Sequence, residues 1–318
     1  MRILITGSNG YIGSVLCKMA KERGDYVVGI DIDRHKHKYL NVDPPPMSCG
    51  DERVAQLAVD FNIDVIFHLA ASASVTDSMS RPLLFYQNNV GETAAMLDNL
   101  VQAGWRGKIV FSSSCSVYGQ PHYDVIDEQC PELPISAYGK SKKMCEDILW
   151  DMHYAHRLPV TIFRYANVAG AYDELGDHLD SHHVIQKICH SIVNESRFNV
   201  YGTKYPTRDG TCVRDYIHVM DVCRAHFHAV DNIKSEFAAY NIGAGYGTTV
   251  KELVEKFTAV TKQHINAVDS IERPGDPHTL VVSSQRLQHT GFEFKHGSLD
   301  EIICSAWKYF AKEVNYAI

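Results

Sequence analysis

The chain has 318 residues, is 45% hydrophobic and 22% charged, and carries a net charge of −7. That length and balance suit one large α/β unit or two closely joined domains, and the acidic surplus argues against a general nucleic-acid binder. No apolar run approaches the ~20 residues that a membrane-spanning helix needs, so no membrane partner is expected. Met1-Arg2-Ile3-Leu4 enters a strand at once and leaves no room for a signal peptide. Nine scattered cysteines, an odd number without a Cys-x-x-Cys, read as free thiols in a reducing compartment, so the expected location is the cytoplasm. Asn194-Glu195-Ser196 reads as a chance glycosylation sequon.

Taken in chain order, Ile3–Thr6 is a buried strand, followed by a helix from Tyr11 that a basic last turn and Gly24 bring to an end. Tyr26–Ile30 is the next strand. In the irregular segment 31–50, Pro44-Pro45-Pro46 excludes a central strand and leaves a short third strand near Tyr39–Asp43. Val65–Leu69, Lys108–Phe111 and Val160–Phe163 then alternate with helical stretches. Continuous apolar strands separated by helices predict a doubly wound parallel sheet, Rossmann-like, covered on both faces. After about residue 168 the rhythm breaks into His, Asp, Gly and Pro clusters, which predicts a smaller, mixed C-terminal domain for substrate. Val219–Asp231 reads as a helix and Ala239–Ile242 as a strand that rejoins the sheet. The expected division is a cofactor domain of residues 1–167, joined by 215–245, and a substrate domain of 168–214 and 246–318.

Gly7-Ser8-Asn9-Gly10-Tyr11-Ile12-Gly13 lies between the first strand and the first helix. Glycines there allow a tight turn, and bare backbone amides at the helix N-terminus can receive a pyrophosphate. Asp31 ends the second strand, 18 residues past Gly13, where a carboxylate binds adenosine ribose hydroxyls and repels a 2′-phosphate. The reading is therefore NAD rather than NADP, with the basic run Arg34-His35-Lys36-His37-Lys38 taken as a solvated loop. Leu69, Ala70 and Ala71 close the next long strand, where small side chains let the backbone approach a cofactor.

Tyr138-Gly139-Lys140-Ser141-Lys142 sets a phenol and an ammonium one helical turn apart on the same face. A tyrosine near its ordinary pKa of ~10 is a poor base, and a neighbouring cation is expected to pull it down. The pair follows Phe111-Ser112-Ser113-Ser114, at the end of a buried strand.

With these residues assembled, the chain resembles the extended short-chain dehydrogenase/reductases, and within them the UDP-glucose 4-epimerases, nearly end to end. Gly7–Gly13 resembles that family's GxxGxxG, Phe111–Gly119 its FSSSxxVYG and Tyr138–Lys142 its YGKSK. Tyr205–Asp221 resembles the YPTxDGTxVRDYIHVMD segment, Arg164-Tyr165-Ala166-Asn167 the RYFN, and Arg273-Pro274-Gly275-Asp276 the RxGD. The resemblance implies that Asn89, Ser112, Tyr138, Lys142 and Tyr165 line NAD, and that Ser114 and Tyr138 meet the sugar's 4-hydroxyl. It implies too that Asn167, Tyr201, Arg214, Arg273 and Asp276 hold the nucleotide diphosphate, a role that suits guanidinium forks. His183 stands where the family has a contacting asparagine, and either Asp43 or Asp51 would be the adenine-contacting aspartate. Leu280 falls where the family sets pocket size. The implied partner is a UDP-sugar, and the implied assembly a homodimer through helices including Asn88–Val101 and Ser141–Tyr154.

The reaction so implied inverts C4 of UDP-glucose or UDP-galactose through a transient 4-keto sugar, with no net redox change. UDP-N-acetylhexosamines and UDP-pentoses remain open as substrates. A 4,6-dehydratase would need an acid pair where this chain reads Ser114-Cys115-Ser116. His178, His182 and His183 invite a metal reading, but no carboxylate-histidine motif surrounds them, and no metal is expected.

Overall fold

A computed structural model describes residues 1–272 and 277–316. The first half alternates strands and helices as expected: β1 (Arg2–Thr6), α1 (Tyr11–Glu22), β2 (Tyr26–Ile30), α2 (Glu52–Asp60), β3 (Val65–His68), α3 (Glu92–Gln102), β4 (Lys108–Ser114), α4 (Ala137–His156) and β5 (Val160–Tyr165). Later in the chain, α5 (Val219–Asp231) and β6 (Phe237–Ile242) complete the pattern. The six strands form one sheet in the order β6-β5-β4-β3-β1-β2. β1 runs parallel to both β2 and β3, and β3 runs parallel to β4. The third strand expected near Tyr39–Asp43 is reduced to a single bridge between Val28 and Val42. Pro44–Pro46 follow at once and cannot donate to a ladder.

Alternate residues of each strand enter two apolar layers. Leu4, Val28, Ile66, Ile109 and Ile162 pack with Val54, Ala55 and Ala58 of α2, Met96, Leu97 and Leu100 of α3, and Leu149 of α4. On the opposite face Phe67 meets His226 and Phe227 of α5, and Phe163 meets His226. Because the chain leaves β1 for β2 and then returns on β1's other side as β3, the strand order reverses between β1 and β3. A crevice at the C-terminal ends of such strands is where open α/β sheets bind ligands.

Contacts divide the chain into two compact units: residues 1–119, 132–164 and 223–240, and residues 120–131, 165–222 and 241–318. Most of the sheet and its helices belongs to the first. The second has its own core, in which Ile188, Ile192, Phe198, Leu253, Phe257, Ile302 and Phe310 are buried together. They come from helices Val184–Val193, Val250–Thr261 and Leu299–Glu313 and from strand Arg197–Tyr201, which pairs in parallel with Asn266–Ser270. Val213–Arg214 lies between Thr248–Thr249 and Thr279–Leu280, and Tyr216–His218 pairs with Asn167–Ala169.

Asp215, fully buried between these last two pairings, fixes that corner. Its carboxylate accepts the backbone amides of Ala244 (2.7 Å), Gly245 (3.1 Å) and Val282 (3.3 Å). Burial pushes its pKa up to about 7 while the three amide donors oppose the rise. A side-chain amide in place of the carboxylate cannot accept at both heavy atoms, so Asp215→Asn should leave a buried amide without a partner and cost about 1–3 kcal/mol. Urea unfolding measures this directly, and a variant as stable as the parent contradicts the assignment.

Candidate active site

The turn after β1 is built from glycine where nothing else fits. Gly7 has φ +69°, and a Cβ there would lie 2.8 Å from Ala70 N; a Cβ at Gly13 would lie 2.1 Å from Gly7 O. Around Gly10 only Gly7 O comes close, at 3.2 Å, which leaves room above the turn. Helix α1 follows Gly10 with no side-chain cap and no acidic residue in its first turn, so no side chain of the helix itself answers its positive end. Such a bare, sterically open helix start fits a pyrophosphate. Tyr11 and Ile12 are the first two residues of that helix. Asp31, directly after β2, accepts Asn9 N (2.9 Å) and Asp33 N (3.2 Å) and so faces the same turn.

β1 and β3 are tied together at this end by His68, which sequence reasoning gave no role. Its Nδ1 lies 2.7 Å from Thr6 Oγ1 and its Nε2 2.9 Å from Thr93 Oγ1. Thr6 Oγ1 also accepts Leu69 N and Ala70 N, so its proton goes to His68 Nδ1. Thr93 donates to Asn89 O at 2.6 Å and accepts from Nε2–H. The ring is thus neutral in one tautomer, and burial pushes its pKa down to about 3. Leu69 and Ala70 are held by these bonds at the edge of the glycine turn, with Ala71 next along the chain.

Asn89 sits in a π-helical turn, Tyr86–Gly91. Its Nδ2 donates to Ser72 O (3.0 Å) and Ser141 Oγ (2.9 Å), and its Oδ1 accepts Ser72 N (2.7 Å). The side chain expected to line the cofactor therefore has its amide committed within the chain, tying the loop after β3 to α4.

Helix α4 presents Tyr138 and Lys142 to the end of β4. Ser136 caps it by accepting Gly139 N at 3.0 Å. Lys142 Nζ donates to Ser112 O at 2.8 Å and lies 5.0 Å over the Phe111 ring. Ser114 hydrogen-bonds Tyr138, and its Oγ also accepts Ser116 N at 3.2 Å. The structure thus brings Ser112, Ser114, Tyr138 and Lys142 together. It departs from expectation in one respect. Burial pushes the Tyr138 hydroxyl up to about 12, with Ser114 opposing the rise, and burial pulls Lys142 down to about 8. In the chain by itself desolvation dominates, and the ammonium expected to lower the phenol donates instead to Ser112 O.

One turn beyond Lys142, Glu146 is buried against Arg164 of β5. Arg164 Nε lies 3.1 and 3.2 Å from the two Glu146 oxygens, and Nη1 lies 2.9 Å from Tyr118 Oη. Glu132 takes Nη2, and Ser113 donates to Glu146. This fork locks α4 to β4 and β5. The motif around Arg164 was visible in the sequence, but its partners were not.

In the second unit Asn167 begins a strand whose register partner is Tyr216, and its backbone N–H donates to Asp215 O at 3.0 Å. Arg214 is in register with Leu280, so the expected phosphate cation and the expected pocket-size residue are strand neighbours. Tyr201 ends its strand opposite Ser270. His183 stands at the start of helix Val184–Val193, with Nδ1 2.7 Å from Asp177, which raises its pKa against the effect of burial. Tyr165 closes β5, buried. Arg273 and Asp276 lie outside the described residues. Asp51 caps α2 and pairs with Arg53, and Asp43 pairs with His35 Nδ1 at 2.6 Å. Among the described residues no three His, Cys, Asp or Glu side chains group as metal ligands.

In the basic run after Asp31, Arg34, Lys36 and Lys38 are exposed as expected, but the segment's backbone and its two histidines find partners in the glycine turn. Lys36 N donates to Asn9 Oδ1, and both imidazoles reach Ser8.

A family model described as "NAD dependent epimerase/dehydratase family" matches residues 3–243. The UDP-glucose 4-epimerase of Halalkalibacterium halodurans is 35% identical over 97% of this chain and 95% of its own. A crystal structure of UDP-glucose 4-epimerase from Brucella ovis in complex with NAD is 33% identical with a TM-score of 0.90, covering 97% of this chain and 98% of that one. One from Bifidobacterium longum in complex with NAD+ and UDP is 27% identical with a TM-score of 0.92, covering 99% of each.

The depressed His68 pKa makes a stability prediction. Between pH 6.5 and about 3 the unfolded chain binds a proton that the folded chain refuses, so stability is present above pH 6.5 and lost as pH falls. His68 alone should contribute about 1.4 kcal/mol per pH unit over that window. His68→Gln should show a shallower loss between pH 6.5 and 5 in urea unfolding, and an unchanged slope contradicts the neutral-ring assignment.

Proposed function

The chain belongs to the NAD dependent epimerase/dehydratase family, and from that premise we propose that it inverts C4 of a UDP-hexose, UDP-glucose to UDP-galactose and back, with NAD as cofactor. The observation that carries the reading is the set at the end of β4: Ser114 bonded to Tyr138, and Lys142 one turn on. It stands on the sheet that also carries the glycine turn. Gly7, Gly10 and Gly13 with the start of α1 would hold the pyrophosphate, Asp31 the adenosine ribose, and Lys142 the nicotinamide ribose. When bound, NAD supplies a hydride acceptor that returns the same hydride.

The chain's own groups handle the proton and the positioning. Tyr138 takes the 4-hydroxyl proton and gives it back to that oxygen after the 4-keto sugar has turned its other face to the site. Ser114 holds that oxygen through its hydroxyl. Lys142 uses one of its three N–H donors on Ser112 O, leaving two for ribose hydroxyls. A hydroxyl held near pKa 12 is not a base at pH 7 without positive charge beside it, so Lys142 has to stay protonated in the working enzyme. From the second unit, Arg214, Asn167 and Tyr201, together with Arg273 and Asp276, would hold the nucleotide diphosphate while the hexose rotates. His183 would contact the substrate through its exposed side. Ser114-Cys115-Ser116 offers no carboxylate for water elimination, which favours epimerisation over dehydration.

A homodimer fits the exposed apolar face of α4, where Met144, Trp150 and Tyr154 are open to solvent, Tyr154 by 74%. A reducing, cytoplasmic setting agrees with nine free thiols, and no helix among the described residues is long and apolar enough to cross a membrane.

Tyr138→Phe should bind NAD yet lose turnover by about 10²–10⁴-fold. Near-normal epimerisation by this variant removes Tyr138 from the mechanism. Lys142→Met should raise the pKa of the Tyr138 base, so the rising limb of its kcat–pH profile should move to higher pH. An unmoved limb shows that Lys142 does not tune the phenol. Parallel incubations with UDP-glucose, UDP-N-acetylglucosamine and UDP-xylose, compared by product ratio, test the hexose assignment, which a preference for either of the others overturns.

A further inference from the structure

We propose that His35 is a positioning residue for the cofactor: with Asp43 and His37 it straps the Arg34–Lys38 segment onto the glycine turn and slows the release of NAD. This rests on the reading that NAD binds at Gly7–Gly13.

The segment alternates. Arg34, Lys36 and Lys38 are exposed, while His35 and His37 turn inward. The His35 side chain is only 3% exposed and sits between two oxygens, Asp43 Oδ1 at 2.6 Å from Nδ1 and Ser8 Oγ at 2.6 Å from Nε2. An ionised carboxylate only accepts, so Nδ1 carries a proton. Ser8 Oγ has an alternative acceptor in Ile30 O at 3.1 Å, so its bond to His35 can be made in either direction. His37 Nε2 lies 2.9 Å from Ser8 O, a carbonyl that can only accept, and its Nδ1 takes Tyr39 N at 3.4 Å. The two imidazoles meet edge-on at 5.4 Å, and His37 stacks on Tyr39 at 5.6 Å. The backbone joins in: Lys36 N donates to Asn9 Oδ1 at 3.1 Å and Asn9 Nδ2 donates to Arg34 O at 3.3 Å.

Ser8 and Asn9 are the two residues between Gly7 and Gly10, so the strap grips the part of the turn that glycine leaves loose. Glycine permits the turn's shape but does not enforce it. A pyrophosphate site needs backbone amides held in one arrangement before the ligand arrives, and rigidity of that kind appears as slower release. The order Ser8–His35–Asp43 has the bonding of a hydrolytic triad, yet Ser8 is completely buried and no substrate can reach it. The array holds the turn; it does not react.

The test compares the full-length protein with His35→Ala and His35→Gln, each loaded with NAD. The readouts are the NAD release rate under chase with excess unlabelled NAD, kcat at saturating NAD, and the melting temperature without NAD. His35→Ala should release NAD about tenfold faster, the size of one lost charge-assisted hydrogen bond. Its kcat at saturating NAD should fall far less than that, and its NAD-free melting temperature should change little. Glutamine, which can still bridge two oxygens, should recover most of the retention. Release at the parental rate from His35→Ala overturns the strap, as does a melting loss that accounts for the whole effect. Should His35→Ala fail to fold, His37→Ala, which removes the bond to Ser8 O, carries the same comparison, and parental release from it is equally decisive. A parent that binds no NAD overturns the cofactor reading itself, which separates that failure from failure of the strap.

Discussion

The arrangement depends on one hydrogen-bonded thread across the end of the sheet. It runs from Thr6 through His68 to Thr93 and Asn89, and from Asn89 to Ser141 on α4. At its start Thr6 holds the amides of Leu69 and Ala70 beside the glycine turn, and at its end Ser141 precedes Lys142. The glycine turn and α4 are therefore registered through buried neutral groups, with each donor matched to an acceptor. A buried polar thread of this kind is rigid when complete and costly when broken, because each orphaned group would sit away from water.

Charge enters this interior only where it is answered. Arg164 is buried because Glu146, Glu132 and Tyr118 surround it, and its planar fork engages both Glu146 oxygens. Such a pair adds little net stability over an apolar replacement, since desolvation offsets most of the attraction. Its effect is geometric: it fixes α4, and with it Tyr138 and Lys142, relative to the strand that carries Ser114. The same burial sets the chemistry. It raises the phenol and lowers the ammonium, so the two drift toward neutrality unless further positive charge is brought to the site.

The second unit solves a different problem with the same means. Short strands of two or three residues cannot hold a corner alone. Asp215 supplies the missing order by gathering three amides from two segments onto one carboxylate. Arg214 and Tyr216, on either side of it, are thereby set in fixed register with Leu280 and Asn167.

Much of this was legible in the residue order, because it is local. Glycine spacing after a buried strand, apolar runs alternating with helices, and a tyrosine and lysine one turn apart are features of a few consecutive residues, and they determined the sheet, the turn and the pairing of Tyr138 with Lys142 on one helix. What the tertiary structure decided depends on residues distant in sequence. His68 meets a threonine 62 residues away, and the basic run finds its partners 27 residues back, in the glycine turn. The segment near Tyr39–Asp43 kept a single bridge because a proline run cut it short. The ionisation of Tyr138 lay furthest from the sequence. Spacing places a cation one turn away, but only the packed chain shows that water is removed from the hydroxyl and that the ammonium donates to Ser112 O instead.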